Sequence, residues 1–180
     1  DHTGIAPKAS VIPLKVLRND GGGSFDYVRN ALQWVIDNRT TYGITVVNMS
    51  LGDSRNLASD DSVAADEVRK RIVALRAVGV PVVVAAGNAY YQHKKQGMGF
   101  PSIARETVSV GAVFDAPIPN GMKYQSGAEA YTTKAGQITP FSQRLHASTC
   151  KPCATDVFAP GAPVTSSGST TDNGESVQHG

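Results

Sequence analysis

The sequence predicts an α/β protein with a mostly parallel sheet and helices on both faces, three layers in all. Three observations carry this expectation. Strand-like and helix-like segments alternate through the first 113 residues, the pattern of right-handed crossovers. The strand-like segments are near-continuous runs of Val and Ile, as in strands covered on both sides. Apolar residues make up 41% of the 180 and charged residues 18%, enough for one core, so the chain is one domain or part of one.

Residues 10–17 (Ser-Val-Ile-Pro-Leu-Lys-Val-Leu) read as the first strand, and Pro13 marks it as an edge or a bulge. Asn19 to Gly23 is a loop, after which Ser24 can cap a helix. Phe25, Val28, Ala31, Leu32, Val35 and Ile36 recur at three- and four-residue spacing and predict one apolar stripe on a helix to about Asn38. Residues 44–49 read as a second strand running into Ser50-Leu51-Gly52. A second helix is predicted from near Ser62, with Ala64, Val68, Ile72, Leu75 and Val78 inward. Pairs four apart, Asp66 with Lys70 and Glu67 with Arg71, suit its wet face. Gly79 suits the left-handed residue that ends a helix. Residues 80–86 and 108–113 read as two more strands, Pro81 standing at a permitted first position. From 115 to 138 periodicity fades into a long surface loop or hairpin. Short strands and turns follow from Thr139, and 166–174 is polar and exposed.

Ligands of open parallel sheets bind beyond the carboxyl ends of the strands. That rule gathers Gly21, Gly22 and Gly23, then Ser50, Leu51 and Gly52, then Ala85, Ala86, Gly87 and Asn88 on one rim. The run Val-Val-Val-Ala-Ala-Gly-Asn at 82–88 is a buried strand stopping at an open edge with one side-chain amide. Such an amide can hydrogen-bond a developing oxyanion.

Seventeen Lys and Arg against fifteen Asp and Glu give a net charge of +2, too balanced for a nucleic-acid or anionic-membrane partner. No 18-residue apolar run is present to span a bilayer, and the first residues show no basic-then-apolar leader. Cys150-Lys151-Pro152-Cys153 allows three readings. A small disulfide loop of a secreted protein is favoured; two free thiols or a metal site with His146 are the alternatives, the last wanting a fourth ligand. Gly21-Gly22-Gly23 between a strand and a helix allows a nucleotide-binding domain, but Asp26 puts a carboxylate where a pyrophosphate would approach.

Several segments together, in order, resemble the subtilisin-like serine proteases. They are Gly4-Ile5-Ala6-Pro7, Leu14-Lys15-Val16-Leu17 with Gly21 to Ser24, Val47-Asn48-Met49-Ser50-Leu51-Gly52 and Val84-Ala85-Ala86-Gly87-Asn88. Phe100-Pro101-Ser102, Val108 to Val113, Phe141-Ser142 and Phe158-Ala159-Pro160-Gly161 continue the match. The resemblance covers nearly the whole chain. It implies peptide-bond hydrolysis and a peptide or protein substrate, with an extracellular or cell-envelope location. Asn88 would be the oxyanion-hole amide. Gly21 to Gly23 and Ser50 to Gly52 would flank an extended substrate, and Ala85 to Gly87 would line a roomy apolar pocket. Gly22 leaves the entrance open to bulky groups.

The same resemblance sets an expectation of absence. The family's Asp and its His-Gly-Thr-His motif precede the Gly-Ile-Ala-Pro segment, and its Ser would follow Gly180 by two positions. The catalytic Asp, His and Ser are therefore expected outside these 180 residues, on the remainder of the catalytic domain, and the isolated chain is expected to be inactive. His2 reads as an exposed terminus, His93 sits among cations, and His146 and His179 lack a base's setting. No cofactor or metal is expected within the chain, although the resemblance allows calcium in a complete domain. Phe100-Pro101 falls where the family often has a cis bond. The 115–138 stretch is longer than in compact members and reads as a decorated loop.

Overall fold

The computed structural model describes residues 4–168 and 174–180. His2 and most of the polar 166–174 stretch lie outside the described residues. The sheet contains β1 (Val47–Met49), β2 (Val82–Ala85), β3 (Val108–Val113) and β6 (Val157–Pro160), in that spatial order. All three pairings are parallel, with Val47 opposite Val82, Val83 opposite Val108 and Val110 opposite Val157. Parallel pairing brings all four carboxyl ends to one edge.

Two long helices, α1 (Phe25–Tyr42) and α2 (Glu67–Ala77), share one core with this sheet. Val28, Leu32 and Val35 of α1 and Val68, Ile72 and Leu75 of α2 are buried with Val82 and Val84. The alternate residues of β2, Val83 and Ala85, point the other way into an open cavity, beside Val110 and Val157. Both long helices therefore cover the same face. The α/β class and the parallel sheet are present, and the third layer is not supplied by the described residues.

Ser24 caps α1, its Oγ accepting from the Asp26 amide at 3.2 Å. The helix runs past Asn38 to Tyr42 and stops at Gly43, whose φ of 61° is left-handed. The extra turn is held by Asn38, which donates to the Trp34 carbonyl at 2.9 Å, and by Tyr42, whose ring lies tilted against Trp34 with centroids 5.5 Å apart. The second helix starts later than its stripe suggests. Residues Asp61–Val63 form a 3₁₀ turn, and Asp66 caps α2 by accepting from the Val68 amide at 2.8 Å. Val63 is buried while Ala64 and Val78 are exposed. Asp66 is engaged as the cap, so Lys70 pairs with Glu67 at 2.5 Å instead; Arg71 also pairs with Glu67. Gly79 ends the helix region with φ 78°.

Residues 10–17 do not form the expected strand. They run extended, with Val11 80% exposed and only Leu17 bridging back to Gly23. The cause is the lack of a neighbour. A groove of about 260 Å³ separates Ser10, Ile12, Leu14 and Val16 from β1 and α1, and Pro13 has no N–H to offer.

The 115–138 stretch folds as a small hairpin, β4 (Met122–Lys123) against β5 (Glu129–Ala130). It adds a second core in which Ile118, Met122 and Tyr124 pack on Phe114 and Phe141. A last hairpin pairs β7 (Val164–Ser167) with β8 (Glu175–Gln178). Phe100–Pro101 and Ala162–Pro163 are cis.

One buried ion network ties the helical layer to the loops. Asp60 is 1% exposed, and its carboxylate accepts from Arg105 at 2.6 Å through both oxygens and from Arg69 at 2.8 Å. Arg69 reaches Glu106 at 2.9 Å and the Asp60 carbonyl at 2.9 Å. The Arg105 bonds, outweighing burial, lower the Asp60 carboxyl to a pKa of about 2. A depressed carboxyl stabilises the fold above its unfolded pKa near 4 and loses that contribution as pH falls toward 2. Asp60→Ala leaves two guanidinium groups without their shared acceptor and should cost about 3–5 kcal/mol in urea melts at pH 7. The wild type should lose stability between pH 4 and 2 more steeply than the variant; parallel pH profiles would remove Asp60 from this role.

Candidate functional site

The cavity at the carboxyl edge has a volume of about 990 Å³. Its walls follow from the sheet. Chain leaving β1 supplies Ser50, Leu51, Gly52 and Asp53, and chain leaving β2 supplies Gly87, Asn88 and Ala89. Gln178, His179 and Gly180 close the side beyond β8. Asn88 is exposed on this rim. Its Nδ2 lies 3.5 Å from the position a Cβ on Gly180 would take. Gly180 itself is held by donating to the Gly161 carbonyl at 3.0 Å, at the end of β6.

The turn that presents Asn88 requires glycine before it. Gly87 has φ 112°, and a Cβ there would fall 2.1 Å from Oε1 of Gln143. Gln143 is fully buried, and its amide N–H donates to the Gly87 carbonyl at 2.8 Å. Nothing in the apolar pattern announces this residue. The only signal is its place directly after Phe141-Ser142.

The structure brings together some predicted positions and separates others. Ser50, Leu51, Gly52, Ala85, Gly87 and Asn88 line one cavity. Ala86 does not: it is 1% exposed and packs in the core on the helical side. Successive strand residues face opposite ways, and residues 85–87 continue that alternation. Gly21, Gly22 and Gly23 also lie apart from the cavity. They form a tight turn in which Gly21 (φ 81°) donates to Arg18 O at 3.0 Å and Asp20 accepts from the Gly22 amide at 2.9 Å. At the helix start beside them, Asp26 pairs with Arg29 at 2.8 Å, leaving a carboxylate where a phosphate would need to sit.

Ser50 accepts from Asn48 Nδ2 at 3.3 Å, and Ser142 is buried, holding the Ala112 amide at 2.9 Å. His93 donates to the Ser54 carbonyl at 2.9 Å. His146 Nδ1 accepts from the Ser148 amide at 3.1 Å and lies 2.8 Å from its hydroxyl, a local loop contact away from the cavity. His179 meets the Tyr124 ring edge-on at 5.2 Å, so the 115–138 hairpin touches the cavity wall. Burial pushes Tyr124 up to about 12, and its hydroxyl has no partner among the described residues. The partners just named for His93, His146 and His179 are a carbonyl, a serine and an aromatic ring.

Cys150 and Cys153 are joined in a disulfide, with Cα atoms 5.3 Å apart. Their sulfurs and an Asp60 oxygen lie within 4.8 Å of one another. The residues do not fit a metal: the sulfurs are bonded to each other, and the carboxylate already accepts from two guanidinium groups.

Comparison with known proteins places this geometry. The sequence pattern of the subtilase family matches residues 1–179. Subtilisin E of Bacillus subtilis is 34% identical over 110 residues, which is 61% of this chain and 26% of that protein. A cuticle-degrading serine protease of Arthrobotrys oligospora is 30% identical over 169 residues, 94% of this chain and 32% of that protein. Among solved structures, Sphericase superposes with a TM-score of 0.70 at 26% identity, covering 98% of this chain and 51% of its own. The S41 Psychrophilic Protease gives 0.69 at 27% identity, with the same coverage. The chain thus spans between a quarter and about half the length of these relatives. A parallel sheet whose ends carry Ser50-Leu51-Gly52 and Gly87-Asn88 to one cavity, and a family pattern running nearly end to end, lead to one conclusion: this chain belongs to the subtilase family of serine proteases.

Proposed function

We propose that this chain is the substrate-holding part of a secreted serine endopeptidase, and that Asn88 is the donor that steadies the oxyanion during peptide-bond cleavage. The observation that carries the reading is the position of the Asn88 amide. It is exposed on the cavity rim and faces the backbone at Gly180, beside the walls formed by Ser50 to Gly52. An extended peptide lying along Ser50-Leu51-Gly52 would pair with backbone groups there. Val83, Ala85 and Gly99 leave an apolar recess. Asp53 beside it is neutralised by Arg55 at 2.6 Å, so no net charge demands a basic side chain.

The attacking Ser, its His base and the orienting Asp are proposed to come from the remainder of the catalytic domain. The groove between residues 10–16 and β1, and the uncovered sheet face, give that remainder surfaces to occupy. The disulfide favours an oxidising compartment, and none of the described helices is long and apolar enough to cross a membrane.

Three outcomes follow. The protein translated from its complete reading frame should hydrolyse casein and lose this activity to a serine-directed phosphonate. The 180-residue chain alone should hydrolyse nothing; phosphonate-sensitive turnover by it would mean a nucleophile within these residues. Peptide binding without hydrolysis by the complete protein would favour a non-catalytic binding role.

In the complete protein, Asn88→Ala should lower kcat by about 10²–10³ with a much smaller change in KM, read by steady-state kinetics. A matching rise in KM instead would make Asn88 a ground-state contact. Gly87→Ala should approach the same loss, because its Cβ would clash with Gln143 and φ 112° is unfavourable for Ala.

A further inference from the structure

We propose that Gln143 is a positioning residue for the Asn88 amide, a role that rests on the oxyanion reading above. The side chain is fully buried, and both N–H donors and one of the two acceptor sites of its terminal amide are engaged. Oε1 accepts from the Ala89 amide at 3.4 Å, while Nε2 donates to the Arg55 carbonyl at 2.9 Å and to Asn56 Oδ1 at 2.8 Å. With the backbone bond from Gln143 to the Gly87 carbonyl at 2.8 Å, one residue grips the chain immediately before and immediately after Asn88. It borders the same cavity and acts through its hold on the turn.

The partners dictate which way the amide points. Two acceptors face one end and a donor faces the other, so the reversed amide would set oxygen against oxygen and N–H against N–H. The far anchor is itself braced. Asn56 donates to the Lys95 and Gln96 carbonyls at 3.3 and 3.2 Å. Asp53 accepts from the Phe100 amide at 3.0 Å. Gln143 therefore ties the Asn88 turn to the loop that continues the Ser50-Leu51-Gly52 wall, fixing the amide relative to the opposite side of the cleft. The missing Cβ of Gly87 is the space this side chain occupies, which gives the glycine a second reason beyond its φ.

A positioning role predicts a pattern that a merely structural one would not. Gln143→Met keeps the length and removes the bonds. In the complete protein it should lower kcat by about 10- to 100-fold while KM changes less than about threefold, since small misplacements of a transition-state donor are felt in the chemical step. In an Asn88→Ala background the same substitution should have almost no further effect on kcat, because the amide it positions is gone. An equal loss in both backgrounds, or no loss in wild type, overturns the proposal.

Should Gln143→Met fail to fold, Gln143→Glu serves. When ionised, it sets a second acceptor against Arg55 O and Asn56 Oδ1; when protonated, it restores one donor and one acceptor. Its kcat relative to wild type should rise as pH falls. The neighbouring charges, Asp53 and Arg55 on the facing loop and Arg144 beside it in sequence, are common to both proteins, so a flat ratio contradicts the role. A complete protein that hydrolyses nothing would fail the catalytic reading instead. Gln143 is then judged by NMR: the Asn88 side-chain amide signals should shift or broaden in Gln143→Met, and unmoved signals reject the contact.

Discussion

Parallel pairing of β2 between β1 and β3 is the constraint on which the site depends. Val83 sits opposite both Asn48 and Val108, and that register sets where each strand stops. Because all four strands run the same way, Ser50, Asn88 and Gly161 emerge at one edge. The register is enforced by burial. Val82 and Val84 sit beneath α1 and α2, and a slip of one residue would turn them into the open cavity and bring Val83 and Ala85 into the core. Apolar burial thus determines the position of a polar amide that makes no core contact.

Two polar devices sharpen what the sheet sets roughly. At the edge, Gly87 and Gln143 fix the turn that exposes Asn88. Behind the helices, Asp60 gathers Arg69 and Arg105, and Arg69 also engages Glu106. Both are buried, multiply bonded and costly to break from one side only. They differ in reach: the Asp60 network joins α2 to the chain entering β3, while Gln143 joins loops of the cleft. The disulfide beside Asp60 adds a covalent staple to the same region.

Much of this was legible in the sequence because it rests on local rules. The apolar stripe of α1, the Ser24 cap and the left-handed Gly79 follow from periodicity and capping. The Val-rich runs located β2 and β3, and the order of short motifs led to the family. Boundaries failed where tertiary contacts or competing caps decide them: α1 gained a turn through Trp34 and Tyr42, and Asp66 displaced Ser62 as the start of α2. Residues 10–17 have strand composition but no strand beside them, which no local rule can reveal. Ala86 packs in the core on the helical side, a placement that motif proximity does not convey because side chains alternate along the strand. Gln143 and Asp60 were missed because their partners lie as far as 88 and 45 residues away in sequence.

The central claim is geometric, and a complex tests it most directly. A crystal structure of the complete protein with a peptidyl phosphonate or boronate bound at the cleft would show where the tetrahedral oxygen sits. The expected result is that oxygen about 2.7–3.1 Å from Asn88 Nδ2, with the peptide extended along Ser50-Leu51-Gly52. An oxygen bound elsewhere, with the Asn88 amide turned away from it, would contradict the account.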